Sequence, residues 1–160
     1  MINVIFLICI YIIVLSYLLF FKERTELNGN YATLVKVLEF RDLTLMRILP
    51  EIKSRKTKNE ITNLVQNRMV SKKTGINSLI FADVELNKKL NPIYIEFNNS
   101  KNPLVRAELR KIVSFEKKLK VIRREFNKSA DEYNQNLIDH SFVCGKILRM
   151  KPVDKYKLGF

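Results

Sequence analysis

Tryptophan is absent from this chain, histidine occurs once, and cysteine, glycine and proline number two, four and four in 160 residues. Each scarcity removes a class of protein. Four glycines and four prolines are too few turn residues for a β sandwich, which reverses direction every 8 to 12 positions or so. No Gly-x-Gly-x-x-Gly, phosphate-loop, His-Glu-x-x-His or Cys-x-x-Cys pattern occurs, so nucleotide binding and zinc hydrolysis lack their usual scaffolds. One histidine and one cysteine outside the first apolar stretch cannot supply the four ligands of a structural zinc site or form a disulfide within the domain. No cofactor is expected. Acidic residues are also in deficit: 29 Lys and Arg face 16 Asp and Glu, a formal charge of +13.

Residues 2 to 21 carry no charge at all, which places the whole excess in the rest of the chain. As a helix, Ile2 to Phe21 is about 30 Å long, the thickness of a bilayer's hydrocarbon core. All but five of these residues are Leu, Ile, Val or Phe, each favouring insertion by roughly 0.3 to 0.6 kcal/mol. A cleaved signal peptide fits less well, because the start is uncharged, the apolar run is too long and Phe20-Phe21-Lys22 is no cleavage site. Cys9 reads as an apolar filler. Lys22, Arg24, Lys36 and Arg41 follow the span and no basic residue precedes it, so the remainder is expected in the cytoplasm.

Past the span, Asn28-Gly29-Asn30, Pro50, Gly75, Asn91-Pro92, Asn98-Asn99-Ser100 and Asn102-Pro103 are the expected breaks. Tyr31, Leu34, Val35 and Leu38 predict a helix from about Tyr31 to Leu49. Ile52, Ile61, Leu64, Val65 and Met69 suggest a second closing near Gly75, with Lys53 to Asn59 polar enough for a loop. Ile76 to Phe97 forms a third stretch, with a bend at Pro92. The strongest pattern is Leu104, Leu109, Ile112, Val113, Leu119, Ile122, Phe126, Ala130, Tyr133 and Leu137, one helix from an Asn102 cap and Pro103 to about Asp139. Its apolar stripe needs partners, and the shorter helices are at hand. The expected fold is all-α: a single N-terminal transmembrane helix (residues 1 to 24), an antiparallel helical bundle with one long C-terminal helix (25 to 142), and a basic tail (143 to 160). A homo-oligomeric coiled coil is the rival arrangement.

Phe115-Glu116-Lys117-Lys118-Leu119, Arg123-Arg124-Glu125-Phe126-Asn127 and Tyr133-Asn134-Gln135-Asn136-Leu137 resemble the carboxy-terminal signature of the LemA family of bacterial membrane proteins, with its aromatic-Asn pair repeated seven residues apart. Tyr31-Ala32-Thr33-Leu34-Val35 resembles the family's upstream motif, and Leu49-Pro50-Glu51-Ile52 stands where it has a second. The family's Trp-containing stretch is missing, which marks a divergent relative. The resemblance implies a membrane-attached helical bundle and no catalytic residues. The physical reading gives Tyr31, Leu34, Val35, Phe126, Asn127, Tyr133 and Asn134 a structural role: aromatics filling successive core layers, asparagines at the seam's edge fixing helix register. A ligand groove lined by these residues is the functional alternative.

Chemistry has few candidates. His140 and Cys144 would share a face if the last helix continued, which would suit a membrane-tethered hydrolase or transferase, yet an ordinary helix-end histidine and a packed cysteine explain them as well. Basic clusters are more informative. Lys53, Arg55, Lys56 and Lys58, then Lys117, Lys118, Arg123 and Arg124, then Lys146, Arg149 and Lys151 would attract anionic lipid headgroups at about 1 kcal/mol each when close to the leaflet. The alternating tail Lys146-Ile147-Leu148-Arg149-Met150-Lys151 would dip its apolar groups into lipid. Exposed-face solvation is the plain alternative, and specific nucleic-acid binding is disfavoured for want of a motif. The expected function is a non-enzymatic interaction or scaffolding module in the cell membrane, its partners the bilayer and membrane or cytoplasmic proteins not identified by the sequence.

Overall fold

The structure is a computed structural model and describes residues 2–140 and 150–156. Four helices run α1 Ile2–Ile48, α2 Arg55–Thr74, α3 Ile76–Asn98 and α4 Pro103–Asp139, with a 3-10 turn at Leu49–Glu51. Cross-helix ion pairs fix their directions. Asp42 with Arg68 and Glu39 with Lys72 set α2 antiparallel to α1, Glu60 with Lys89 sets α3 antiparallel to α2, and Asp83 with Arg123 sets α4 antiparallel to α3. The result is an up-down bundle in which α4 lies along α1 for most of its own length.

The punctuation explains most boundaries. Ser54 caps α2, its Oγ accepting from the Thr57 amide at 3.3 Å. Gly75, at φ 128°, supplies the backbone that separates α2 from α3 and that an L side chain rarely adopts. Asn102 caps α4 from the Leu104 amide at 3.0 Å, and Pro103 occupies the first turn. Pro50 falls in the 3-10 turn that ends α1, while Pro92 lies inside α3 without ending it.

One expected break is not there. α1 is a single helix of 47 residues, about 70 Å long, and runs straight through Asn28-Gly29-Asn30. Glycine and asparagine disfavour helix by at most about 1 kcal/mol each. Packing offsets that: Leu27 and Leu34 are buried on either side of Gly29, and Asn30 Nδ2 donates to Ser129 Oγ on α4 at 2.7 Å. The expected division at residue 24 is likewise crossed. Residues 4–15 are exposed, but Ser16 and Phe20 are buried, Phe20 against Tyr133 at 4.9 Å between rings. Glu23 accepts from Asn136. The bundle therefore grips the last turns of the charge-free stretch, and its expected division from the bundle becomes one shared helix.

The core forms two apolar clusters. One, nearer the N-terminal arm, holds Phe20, Leu27, Leu34, Leu38, Leu79, Leu119, Phe126 and Tyr133; the other, at the far end, holds Leu45, Ile48, Ile61, Val65, Leu86, Leu90, Val105 and Ile112. Between them lies a layer of charge.

Candidate functional site

Along α4, Val105, Leu109, Ile112, Glu116, Leu119, Arg123, Phe126, Ala130, Tyr133 and Leu137 follow one another at alternating spacings of four and three, the repeat that keeps a single seam facing the bundle axis. Two of those seam positions are charged. The same repeat places Arg41 between Leu38 and Leu45 on α1, Arg68 after Val65 on α2 and Asp83 between Leu79 and Leu86 on α3. All four helices thus send charge to one level.

Arg41 is the centre of that level and is wholly buried. Its Nη2 donates to Asp83 Oδ1 at 2.7 Å, and its Nη1 to Glu116 Oε1 at 3.0 Å and Asn87 Oδ1 at 2.8 Å. Arg68 binds Asp42, and Arg123 Nη2 reaches the second oxygen of Asp83 at 2.7 Å. Three guanidinium groups face three carboxylates, so the layer is formally neutral. Burial alone would raise the Asp83 carboxyl, but Arg41 and Arg123 together outweigh it and hold the group below its ordinary value. Asp42 goes the other way: burial raises it against the pull of Arg41 and Arg68. Burial also raises the Tyr94 hydroxyl, with Glu116 adding to the effect. Such a layer costs desolvation that Coulomb attraction roughly repays, and it specifies which helix meets which.

A second arrangement explains the repeated aromatic-Asn pair. Asn127 Nδ2 donates to the Tyr156 carbonyl at 2.8 Å while its Oδ1 accepts from the Tyr156 amide at 2.8 Å. Asn134 makes the same two bonds with Val153, at 2.8 and 2.9 Å. The two asparagines lie seven residues apart on α4, about 10.5 Å, and their partners three residues apart in the tail, so one pair of bonds repeats along the helix. The asparagines, expected from the sequence to set register between helices, are instead bonded to the tail and clasp it to α4. Tyr133 Oη adds a bond to the Lys151 carbonyl at 3.3 Å.

The tail is correspondingly part of the core. Tyr156 is buried, meets Phe126 edge-on with ring centroids 5.9 Å apart, and lies 5.3 Å beneath the Arg123 guanidinium. Met150 and Val153 pack against the cluster beside it. Of the alternating stretch expected to dip into lipid, Met150 instead packs on this cluster, and the Asp154 amide donates to Asn77 Oδ1 on α3 at 3.0 Å. Lys151 keeps its side chain exposed; Lys146, Arg149 and Cys144 lie outside the described residues.

The other expected positions divide. Leu34, Val35, Phe126 and Tyr133 are core residues and Tyr31 is half-buried. Arg123 is turned inward rather than toward an anionic surface, with its side chain 13% exposed between Asp83 and Glu116. Lys117, Lys118 and Arg124 are exposed on α4, and Lys53, Arg55 and Lys56 are exposed at the turn into α2, with Lys58 half-buried. His140 follows the last residue of α4, its amide donating to the Asn136 carbonyl at 2.9 Å, and its expected neighbour Cys144 lies outside the described residues. Among the described residues no group of three or more His, Cys, Asp or Glu is placed to hold a metal ion. Compared with known protein families, with curated proteins and with solved structures, the chain finds no match.

Proposed function

We propose that this is a single-pass membrane protein whose helical bundle is a non-enzymatic interaction module on the cytoplasmic side, and that it is a divergent relative of the LemA family. The observation that carries the reading is the arm of α1: residues 4–15 are charge-free, helical and exposed on every side, and the helix is long and apolar enough to cross a membrane. Water would oppose so large a bare apolar surface, and lipid favours it residue by residue. The basic residues Lys22, Arg24 and Lys36 all follow the arm, which supports the cytoplasmic side for the bundle.

The bundle's central carboxylates and guanidinium groups engage one another, which suits a rigid specificity layer better than a reaction. Kinship with LemA rests on the repeated aromatic-Asn pair, whose aromatics fill the core and whose asparagines hold the tail. Contact with the anionic leaflet belongs to the arm's immediate neighbours. The Lys53 cluster follows the far end of α1, about 40 Å of helix beyond Phe21, against a screening length of about 8 to 10 Å.

Alkaline carbonate extraction and protease protection of a C-terminal tag test both halves. The protein should stay in the membrane pellet, and the tag should survive protease in intact spheroplasts and be digested after lysis. Release into the supernatant would remove the anchor, and digestion in intact spheroplasts would reverse the orientation.

A further inference from the structure

Near the far end of the bundle, α4 and the last turn of α3 border an open groove of about 500 Å³. Arg106, Arg110 and Lys117 line it, with Ser114 and Asn98, and Leu109 and Val113 supply its apolar floor. Spacings of four, three and four put Arg106, Arg110, Val113 and Lys117 on one stripe of the helix, about 16 Å or three turns long. The stripe has no carboxylate. Glu108 turns away from it to Lys111 and Arg47, and Glu116 turns inward to Arg41, which leaves Arg106, Arg110 and Lys117 without an ion-pair partner among the described residues.

We propose that this groove is a docking site for an acidic amphipathic helix of a partner protein. Three unpaired cations in a row call for carboxylates at matching turns. Leu109 and Val113 between them call for apolar side chains, which a helix presents at spacings of three and four and a phosphate backbone does not. The protein's own leaflet is out of reach: Glu116 pairs with Arg41 and Glu108 with Arg47, which sets the groove about 30 to 40 Å of helix beyond Phe21. That exclusion of lipid rests on the anchor reading above; the charge and shape of the groove do not. Such a site would make the bundle a post that holds a partner off the membrane surface.

The test uses the full chain in nanodiscs of phosphatidylcholine, with fluorescence anisotropy as the readout. The probe is a labelled 14-residue synthetic helix carrying Leu along one stripe and Glu on both flanks. A scrambled peptide of the same composition and a 14-nucleotide single-stranded DNA are the comparisons. The amphipathic peptide should bind at least tenfold more tightly than either. Arg110→Glu and, separately, Lys117→Glu should each weaken it at least tenfold, while Lys53→Glu, outside the groove, should change it less than twofold. Equal or tighter binding of the scrambled peptide or the DNA overturns the proposal, as does indifference to both groove reversals. Protein that binds the peptide but does not enter nanodiscs would instead remove the anchor and leave the groove standing.

Discussion

Replacing Arg41 by methionine keeps most of the side chain's length and removes its charge from a position with no access to water. Asp83 then keeps Arg123, Asp42 keeps Arg68, and Glu116 retains Arg123 at 3.6 Å, but the layer holds one uncompensated negative charge. Breaking a buried ionic group in this way costs about 3–5 kcal/mol. For a chain of this size that corresponds to a fall of roughly 10–15 °C in Tm. Thermal unfolding of the full chain in neutral detergent, followed by circular dichroism at 222 nm, measures it. The sharper test is the cycle with Asp83→Leu. Removing both leaves Arg68 and Arg123 against Asp42 and Glu116, again neutral, so the double variant should be more stable than the sum of the single losses by about 2 kcal/mol or more. A loss under about 1 kcal/mol for Arg41→Met, or strict additivity, would mean that water reaches the layer and screens it, and the reasoning would fail.

Three further outcomes follow from particular contacts. Asn127→Ala and Asn134→Ala each delete two bonds to the tail, worth about 1 kcal/mol apiece, so amide exchange at Tyr156 and Val153 respectively should accelerate by roughly 30-fold while α4 stays protected. Asp83 lies below its ordinary value of 3.8, so its contribution to stability is present above that pH and is lost as pH falls through the lowered value; Asp42, being raised, contributes in the opposite sense. Denaturation measured from pH 5 to pH 2 should show a shallower acid decline for Asp83→Asn than for the natural chain. Gly29→Ala meets no atom within 4 Å and should stabilise the protein by about 0.5–1 kcal/mol if α1 is continuous; a neutral or destabilising result would place a hinge there.

The long elements were legible because their signals are local. α4's cap, first-turn proline and end near Asp139 follow from Asn102, Pro103 and a stripe that stops at Leu137. Gly75 separated two helices for the same reason. The passage of α1 through Asn28-Gly29-Asn30 was not legible, since what offsets three weak helix formers is Ser129 and the apolar face of a helix about a hundred residues later. The charged layer was missed although a signal existed. Arg41, Arg68, Asp83, Glu116 and Arg123 each occupy the next seam position in an alternating four-three pattern, but a stripe counted by apolar residues alone skips over them. Asn127 and Asn134 were read as seam residues; their partner, a stretch with no periodicity of its own, left nothing in the sequence to pair them with.

Continuity of α1 has a geometric consequence. A helix turns about 100° per residue, so a bundle built on the same uninterrupted rod as its arm has a fixed rotation as well as a fixed distance relative to that arm. Adding one residue between Glu23 and Leu27 would swing everything beyond it by that angle while lifting it only about 1.5 Å, and would pull Phe20 and Glu23 out of line with Tyr133 and Asn136. The faces of the arm and the faces of the bundle are therefore held at one angle to each other, set by the count of residues in a single turn.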